Sequence, residues 1–432
     1  MSTTEVTTGP RQGLRGGKLA GLVAICALAI TFDGYDLVVF GTTVSRIMAE
    51  WGINPAQAGL VGSYALIGMM IGALTVGTLA DRFGRRKILI ASVVWFSLWM
   101  IVAALAPSLG LFALARFMCG LGLGGCMPSA TAMVVEYAPK GRGNLVYVIM
   151  QSGFAVGGIL AAGLALAILP VASWRVMYLI GAAPLIIVVL PALKFLPESL
   201  DYLVSRGKSA AASALAAKLD VDVPQPRTAA KRGTPVDLFR HGLLPATLLF
   251  WAAAFCALLL VYGLNTWLPE IMRKQGYPMG SALTFLLLFN LGSIIGSLIA
   301  GWAADRFGSK PVIAISFTLA VISAVALSLR PDMWLLWVLV AIGGQGAIGT
   351  QNLINPFVTS YYPAPMRGTG IGWALGIGRL GAILGPIIGG AVLASSLGSG
   401  WNFYIFAIVA VVGLVAVVLV PKRKPHPLDY AE

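Results

Sequence analysis

Twelve apolar runs, each long enough to cross a bilayer, dominate this chain of 432 residues. They fall at 19–42, 57–80, 88–106, 109–135, 144–169, 174–196, 243–268, 280–302, 311–330, 332–359, 368–394 and 399–420. At a rise of about 1.5 Å per residue, some ~20 residues cross a hydrocarbon core ~30 Å thick. A helix satisfies its own backbone in lipid, so runs of this length read as helices. Charged residues make up only 11% of the chain and hydrophobic ones 58%, with a mean hydropathy of +0.87. Soluble domains carry about 25% charged residues. The expected fold is therefore all-α integral membrane, with twelve transmembrane helices.

The formal net charge of +14 raises nucleic acid as a partner, but the placement of the charges argues against it. With the N-terminus inside, most basic residues fall on one side: Arg11, Arg15 and Lys18, then Arg82, Arg85, Arg86 and Lys87, Lys140 and Arg142, and Arg306, Lys310 and Arg367. The middle loop and the tail (Lys422, Arg423, Lys424) add to them, against Arg46, Arg175, Arg273, Lys274 and Arg330 outside. This asymmetry is the positive-inside rule, and it predicts a multi-pass membrane protein with both termini cytoplasmic. The first run is too long for a cleavable leader and carries two acids, so it is expected to be a retained helix. The four cysteines lie in spans without paired spacing and read as packing thiols, not metal ligands or disulfides.

An internal repeat divides the chain. The stretch "GALTVGTLADRFGRRK" at 72–87 returns as "GSLIAGWAADRFGSKP" at 296–311, an offset of 224 residues that pairs Asp81 with Asp305 and Gly84 with Gly308. Parallel repetition predicts two pseudo-symmetric six-helix bundles, 19–196 and 243–420. Around them lie an N-terminal tail (1–18), a cytoplasmic linker with one or two short amphipathic helices (197–242) and a C-terminal tail (421–432). The pattern G-x-x-x-D-R-x-G-R-[RK], placed in the short loop after the second helix, resembles the signature of the major facilitator superfamily. That resemblance implies a loop that latches the cytoplasmic side, made here by Asp81, Arg82, Arg85 and Arg86. Its second copy, around Asp305 and Arg306, has Ser309 where the first has Arg85 and is expected to latch more weakly.

Few charges lie deep in the spans. Of sixteen acids only Asp33 and Asp36 do, with Glu136 and Glu270 at helix ends; of thirty bases only Arg116 and Arg379 do. A carboxylate at that depth costs about 2.5–3.5 kcal/mol on insertion scales, so such groups face a bundle interior or a wet cavity. Three residues apart, Asp33 and Asp36 share a helix face. Whether a buried carboxylate holds a proton depends on what faces it: desolvation and like charge favour the proton, and an arginine opposes it. The two histidines, His241 and His426, lie at the linker end and in the tail, so proton coupling would run through carboxylates.

"GYD" in the first helix and "RFMCGLGLGG" in the fourth look like proton-coupled sugar porters of the same superfamily, where such an Asp and Arg pair until protonation. That resemblance nominates Asp36 and Arg116. The fuller "DGYD", with "VEYAPK" (135–140), "LPESLDYLV" (196–204), "YGLNTWLPEIM" (262–272) and "RGTGIGWALGIGRLGAILGP" (367–386), resembles the aromatic acid:proton symporters, which carry benzoate and hydroxybenzoates. It implies import of an aromatic monocarboxylate with protons, using Asp33, Asp36 and the Arg379 guanidinium. Arg379 can grip a carboxylate bidentately or pair with Asp33 across the bundle. Tyr64, Phe289, Asn290, Trp373, Tyr262 and Trp267 are candidates to hold the ring, and Glu270 a gate or rim residue. The expected protein is a monomer in the lipid bilayer with no cofactor beyond the coupling proton, and no enzymatic constellation is legible. Uptake of another organic acid or a sugar, or a non-transporting sensor of aromatics, remains open. "GLGLGG" (120–125) follows no strand and reads as helix packing, not as a nucleotide loop.

Overall fold

The computed structural model describes residues 14–139, 142–223, 234–240, 242–398 and 400–422, with the side chains of 77, 78, 81, 144 and 364 outside the description. The Asp81 side chain therefore lies outside it, as do Arg11, Lys140, His241, His426 and most of the C-terminal tail. All regular structure among the described residues is helical. Twelve helices have spanning length and hydropathy: α1 Gly16–Trp51, α2 Pro55–Phe83, α3 Arg85–Leu105, α4 Leu109–Tyr137, α5 Gly143–Ile168, α6 Arg175–Phe195, α7 Leu244–Lys274, α8 Met279–Phe307, α9 Ser309–Ser328, α10 Met333–Tyr361, α11 Arg367–Ala394 and α12 Trp401–Leu419.

Local chemistry explains the boundaries. Asn54 and Gln57 cap α2 reciprocally, at 2.9 and 3.0 Å, with Pro55 in the first turn. α1 runs well past the expected limit of Thr42, through Trp51, because no breaker intervenes before Gly52 closes it at φ 63°. α6 is instead broken into three pieces, 175–181, 184–187 and 189–195. Pro184 opens the second piece and Pro191 lies in the third, where each lacks an amide donor. A π-turn over Gln345–Gly349 interrupts α10 within a glycine-rich run.

The repeat governs the whole fold. Helices α2, α3, α4 and α5 begin at 55, 85, 109 and 143; α8, α9, α10 and α11 begin at 279, 309, 333 and 367, each 224 residues later. Gly68 packs on the Phe117 carbonyl of α4, and at the same offset Gly292 packs on the Ala341 carbonyl of α10. Small residues let these helices meet backbone to backbone. The linker contributes two helices, Leu200–Ser205 and Ser209–Leu219, whose Leu200, Leu203, Ala212 and Ala216 join the apolar core of the first bundle.

Between the bundles, contacts gather at one end. Gly41 of α1 rests on the Asn265 carbonyl of α7, Pro55 and Gly59 of α2 rest against Gly390 and Pro386 of α11, and Ser63 Oγ donates to Ile383 O at 2.7 Å. Toward the other end the helices part. Gly368 and Gly372 lie about three helical turns before Arg379 and Ile383, on the same face of α11. A methyl group at either glycine would meet no atom within 4 Å. Gly301 stands likewise open on the face of α8 that at Asn290 touches Gly158 of α5. The molecule is thus sealed at the end where α1 meets α2 and cleft at the end that carries the linker.

Candidate functional site

The deep charges converge between the bundles. Asp33, Asp36 and Arg116 are all nearly inaccessible. Arg116 Nη1 donates to Asp36 Oδ1 in a buried ion pair, and Nη2 reaches the Asp36 carbonyl at 3.4 Å. The Phe40 and Tyr178 rings flank the guanidinium, centred 5.7 and 5.9 Å from its Cζ. Such rings favour a desolvated cation. Asp33 takes no part in this pair. Its Oδ1 is buried without a hydrogen-bond partner, and the carboxylate lies within electrostatic reach of Arg379.

Arg379 is half-buried, and no carboxylate among the described residues lies within ion-pair distance of it. Its Nη1 contacts the Met69 sulfur of α2 at 2.7 Å and donates to Tyr262 Oη of α7 at 3.3 Å. A guanidinium offers five donors, so a thioether and a phenol leave most of its fork open. The expectation of a direct Asp33–Arg379 pair is not met in this state. Beside Arg379, a small void lies between Asp36, Leu37 and Phe40 of α1, Gly62, Ala65, Leu66 and Met69 of α2, Arg116 of α4, and Tyr262 and Thr266 of α7.

Of the ring candidates, Tyr262 alone lines this void. Asn290 sits at the bundle interface, where Nδ2 donates to Asn265 Oδ1 at 3.1 Å. The other four are placed differently. Tyr64 shares an exposed apolar face with Leu60 and Ile71 and does not line the void. Phe289 packs inside the second bundle against Gly344, away from the cleft. Trp267 is sealed under α11, donating Nε1 to Pro386 O at 2.7 Å. Trp373 stacks on Trp251 at 5.7 Å, which itself meets Phe239 of the linker. All four corrections share one cause: aromatic content marks a span, but rotation about the helix axis decides what each ring faces.

The candidate gates also separate. Glu270 is fully buried in the seal, where it accepts from Ser45 Oγ of α1 and is held bidentately by Arg273 at 2.7 and 2.8 Å. In the first motif loop, Arg85 pairs with buried Glu136 at 2.8 Å, which also accepts from Ser199 Oγ and Asp201 N. Arg86 Nη2 donates to Leu193 O at 2.6 Å, and the Arg82 carbonyl accepts from Arg206 at 3.0 Å. In the second, Asp305 is exposed without a partner among the described residues. Arg306 there lies over the Trp302 and Phe307 rings. Sequence reasoning missed Met69, Asn265, Thr266 and Ser45. Only the Asn–Thr pair left a signal, a polar break in the apolar run of α7.

A family model described as Major Facilitator Superfamily matches residues 26–294 and 279–431. Among curated proteins, a benzoate transport protein of Acinetobacter baylyi is 37% identical, over 94% of this chain and 91% of its own. A gentisate transporter of Corynebacterium glutamicum is also 37% identical, over 97% and 91%. A 4-hydroxybenzoate transporter of Pseudomonas aeruginosa is 35% identical, over 88% and 87%. The fold is similar to that of a bacterial homologue of the human lysosomal transporter Spinster, solved inward-facing and unoccupied (TM-score 0.76, 17% identity, 96% of this chain and 100% of that one). It is similar too to the xylose transporter of Escherichia coli in a partially occluded inward-open state (TM-score 0.75, 18% identity, 94% and 100%).

Proposed function

The chain belongs to the major facilitator superfamily, and we propose that it imports an aromatic monocarboxylate, of the benzoate or hydroxybenzoate class, together with one or more protons. It works by alternating access, as a monomer in the bacterial cytoplasmic membrane with both termini inside, and it needs no cofactor beyond the proton. With the termini inside, the cleft described above opens to the cytoplasm and the seal faces outward. The observation that carries this reading is Arg379: a deep cation in the cleft, without a carboxylate partner among the described residues, within electrostatic reach of an unpaired Asp33. An interior-negative membrane opposes an entering anion by about 2.3 kcal/mol per charge per 100 mV, so accumulation needs a coupled cation.

In this mechanism the substrate carboxylate docks on the open fork of Arg379 while a proton on Asp33 or Asp36 offsets the charge moved. Protonating Asp36 removes the charge that holds Arg116, which frees α4 from α1 and lets the bundles rock. Loading takes place with the Ser45–Glu270 seal parted; the seal then closes as the cytoplasmic end opens, which gives the arrangement described above and releases substrate and proton inside. The test is uptake of labelled benzoate and 4-hydroxybenzoate into proteoliposomes under an inward proton gradient. Accumulation that collapses with a protonophore supports the reading. Equal uptake with and without the gradient would overturn the coupling, and uptake of neither acid would overturn the substrate class.

A further inference from the structure

Threonines in membrane helices ordinarily spend their hydroxyl on the carbonyl one turn back. Thr31, Thr43, Thr247 and Thr350 all do so here, at 2.6–3.0 Å. Thr266 does not. It is 3% exposed, it lines the void beside the Asp36–Arg116 pair, and its hydroxyl makes no hydrogen bond to any described residue. A hydroxyl so placed can pair with a ligand group that enters the void.

Its position relative to the anion site is defined by α7. Thr266 stands one turn beyond Tyr262, whose phenol accepts from Arg379. Four residues rise about 6 Å, and i and i+4 share a face. That rise is comparable to the reach of a benzoate from its carboxylate to the substituent opposite on the ring. Leu37, Phe40, Leu66 and Met69 supply apolar walls along this line. In the present state the void is about water-sized, so a ring enters it as the walls move apart during the cycle.

We propose that Thr266 is a specificity-determining residue, whose hydroxyl reads a hydrogen-bonding substituent para to the carboxylate of a ring anchored on Arg379. The inference rests on the function proposed above and narrows its substrate class to para-hydroxylated benzoates. A site built to bond a hydroxyl discriminates strongly against the analogue that lacks it, because the site's own polar group is then stranded. Replacing Thr266 by the isosteric valine removes the hydroxyl and keeps the volume; serine keeps the hydroxyl.

The experiment measures, in proteoliposomes, the KM for 4-hydroxybenzoate and for benzoate in wild type, Thr266→Val and Thr266→Ser. The expected result is a KM for 4-hydroxybenzoate raised about tenfold in Thr266→Val, a KM for benzoate that falls because no hydroxyl is left stranded, and Thr266→Ser close to wild type for both. An equal rise for both acids in Thr266→Val, or no rise for either, overturns the assignment. Wild-type uptake of benzoate that 4-hydroxybenzoate neither shares nor inhibits overturns it too, while leaving the proposed function standing. Wild-type uptake of neither acid overturns both.

Discussion

The two bundles share a backbone and divide the chemistry. At the offset of 224 residues, Asp36 and Arg116 of the first bundle correspond to Leu260 and Val340 of the second, which line an apolar void. Arg379 of the second corresponds to Ala155 of the first. The motif loops diverge in the same way. Gly84 and Gly308 adopt the same positive φ, 103° and 89°, a conformation that favours glycine, so the turn is kept. The side chains around them are not: one loop is tied through Arg85 and Arg86 to Glu136, Glu198 and Leu193, and the other presents Asp305 to solvent. Duplication preserved what packing requires and released what it does not, leaving Asp33, Asp36 and Arg116 in one half and Arg379 in the other.

That division can be broken most severely at the ion pair. Arg116→Val leaves the Asp36 carboxylate buried alone and is expected to destabilise the protein by about 3–5 kcal/mol, read as a fall in the detergent melting temperature. Adding Asp36→Leu gives the first bundle the residue pair of the second and should restore most of that loss, while gradient-driven uptake stays at background. A double variant no more stable than Arg116→Val would contradict the account. Asp36→Asn alone should abolish accumulation against a gradient. Retained accumulation would move the switch to Asp33.

The proposed anion site is tested by Arg379→Lys, which keeps the charge and loses the fork. A bidentate carboxylate contact predicts a loss of about 10- to 100-fold in kcat/KM for uptake, with Arg379→Ala lower still. Wild-type transport by the lysine variant would place the carboxylate elsewhere. Smaller effects test the loops. Arg85→Ala strands Glu136 and should cost about 2 kcal/mol, less than a fully buried pair because the Arg85 side chain is 23% exposed. Arg306→Ala in the second loop should stay within about 0.5 kcal/mol, as surface substitutions usually do. Similar losses from the two would show that the loops are equivalent after all.

How much of this was legible beforehand differs by kind of feature. The spans, the repeat and the identity of the deep charges follow from composition and spacing, because lipid imposes length and polarity on every segment independently. The ion pair of Asp36 with Arg116 was nominated by family likeness, and the structure places the two together. The ring candidates fared worse. Tyr64, Phe289, Trp267 and Trp373 face the exposed surface, their own bundle or a neighbouring helix, while Met69 and Thr266 gave no aromatic cue and line the void.

The sequence by itself determined that the chain spans the membrane twelve times, that its halves are copies, and which four charges need company there. Those are one-dimensional properties, set by solvent and by the rise of a helix. The tertiary structure alone decided that Arg116 takes Asp36 and leaves Asp33 unpaired, that Arg379 rests on Met69 and Tyr262, and that one end of the cleft is sealed through Glu270 and Ser45. Each of these depends on how far a helix turns about its axis and which bundle end is closed, and both are set by packing between segments more than two hundred residues apart.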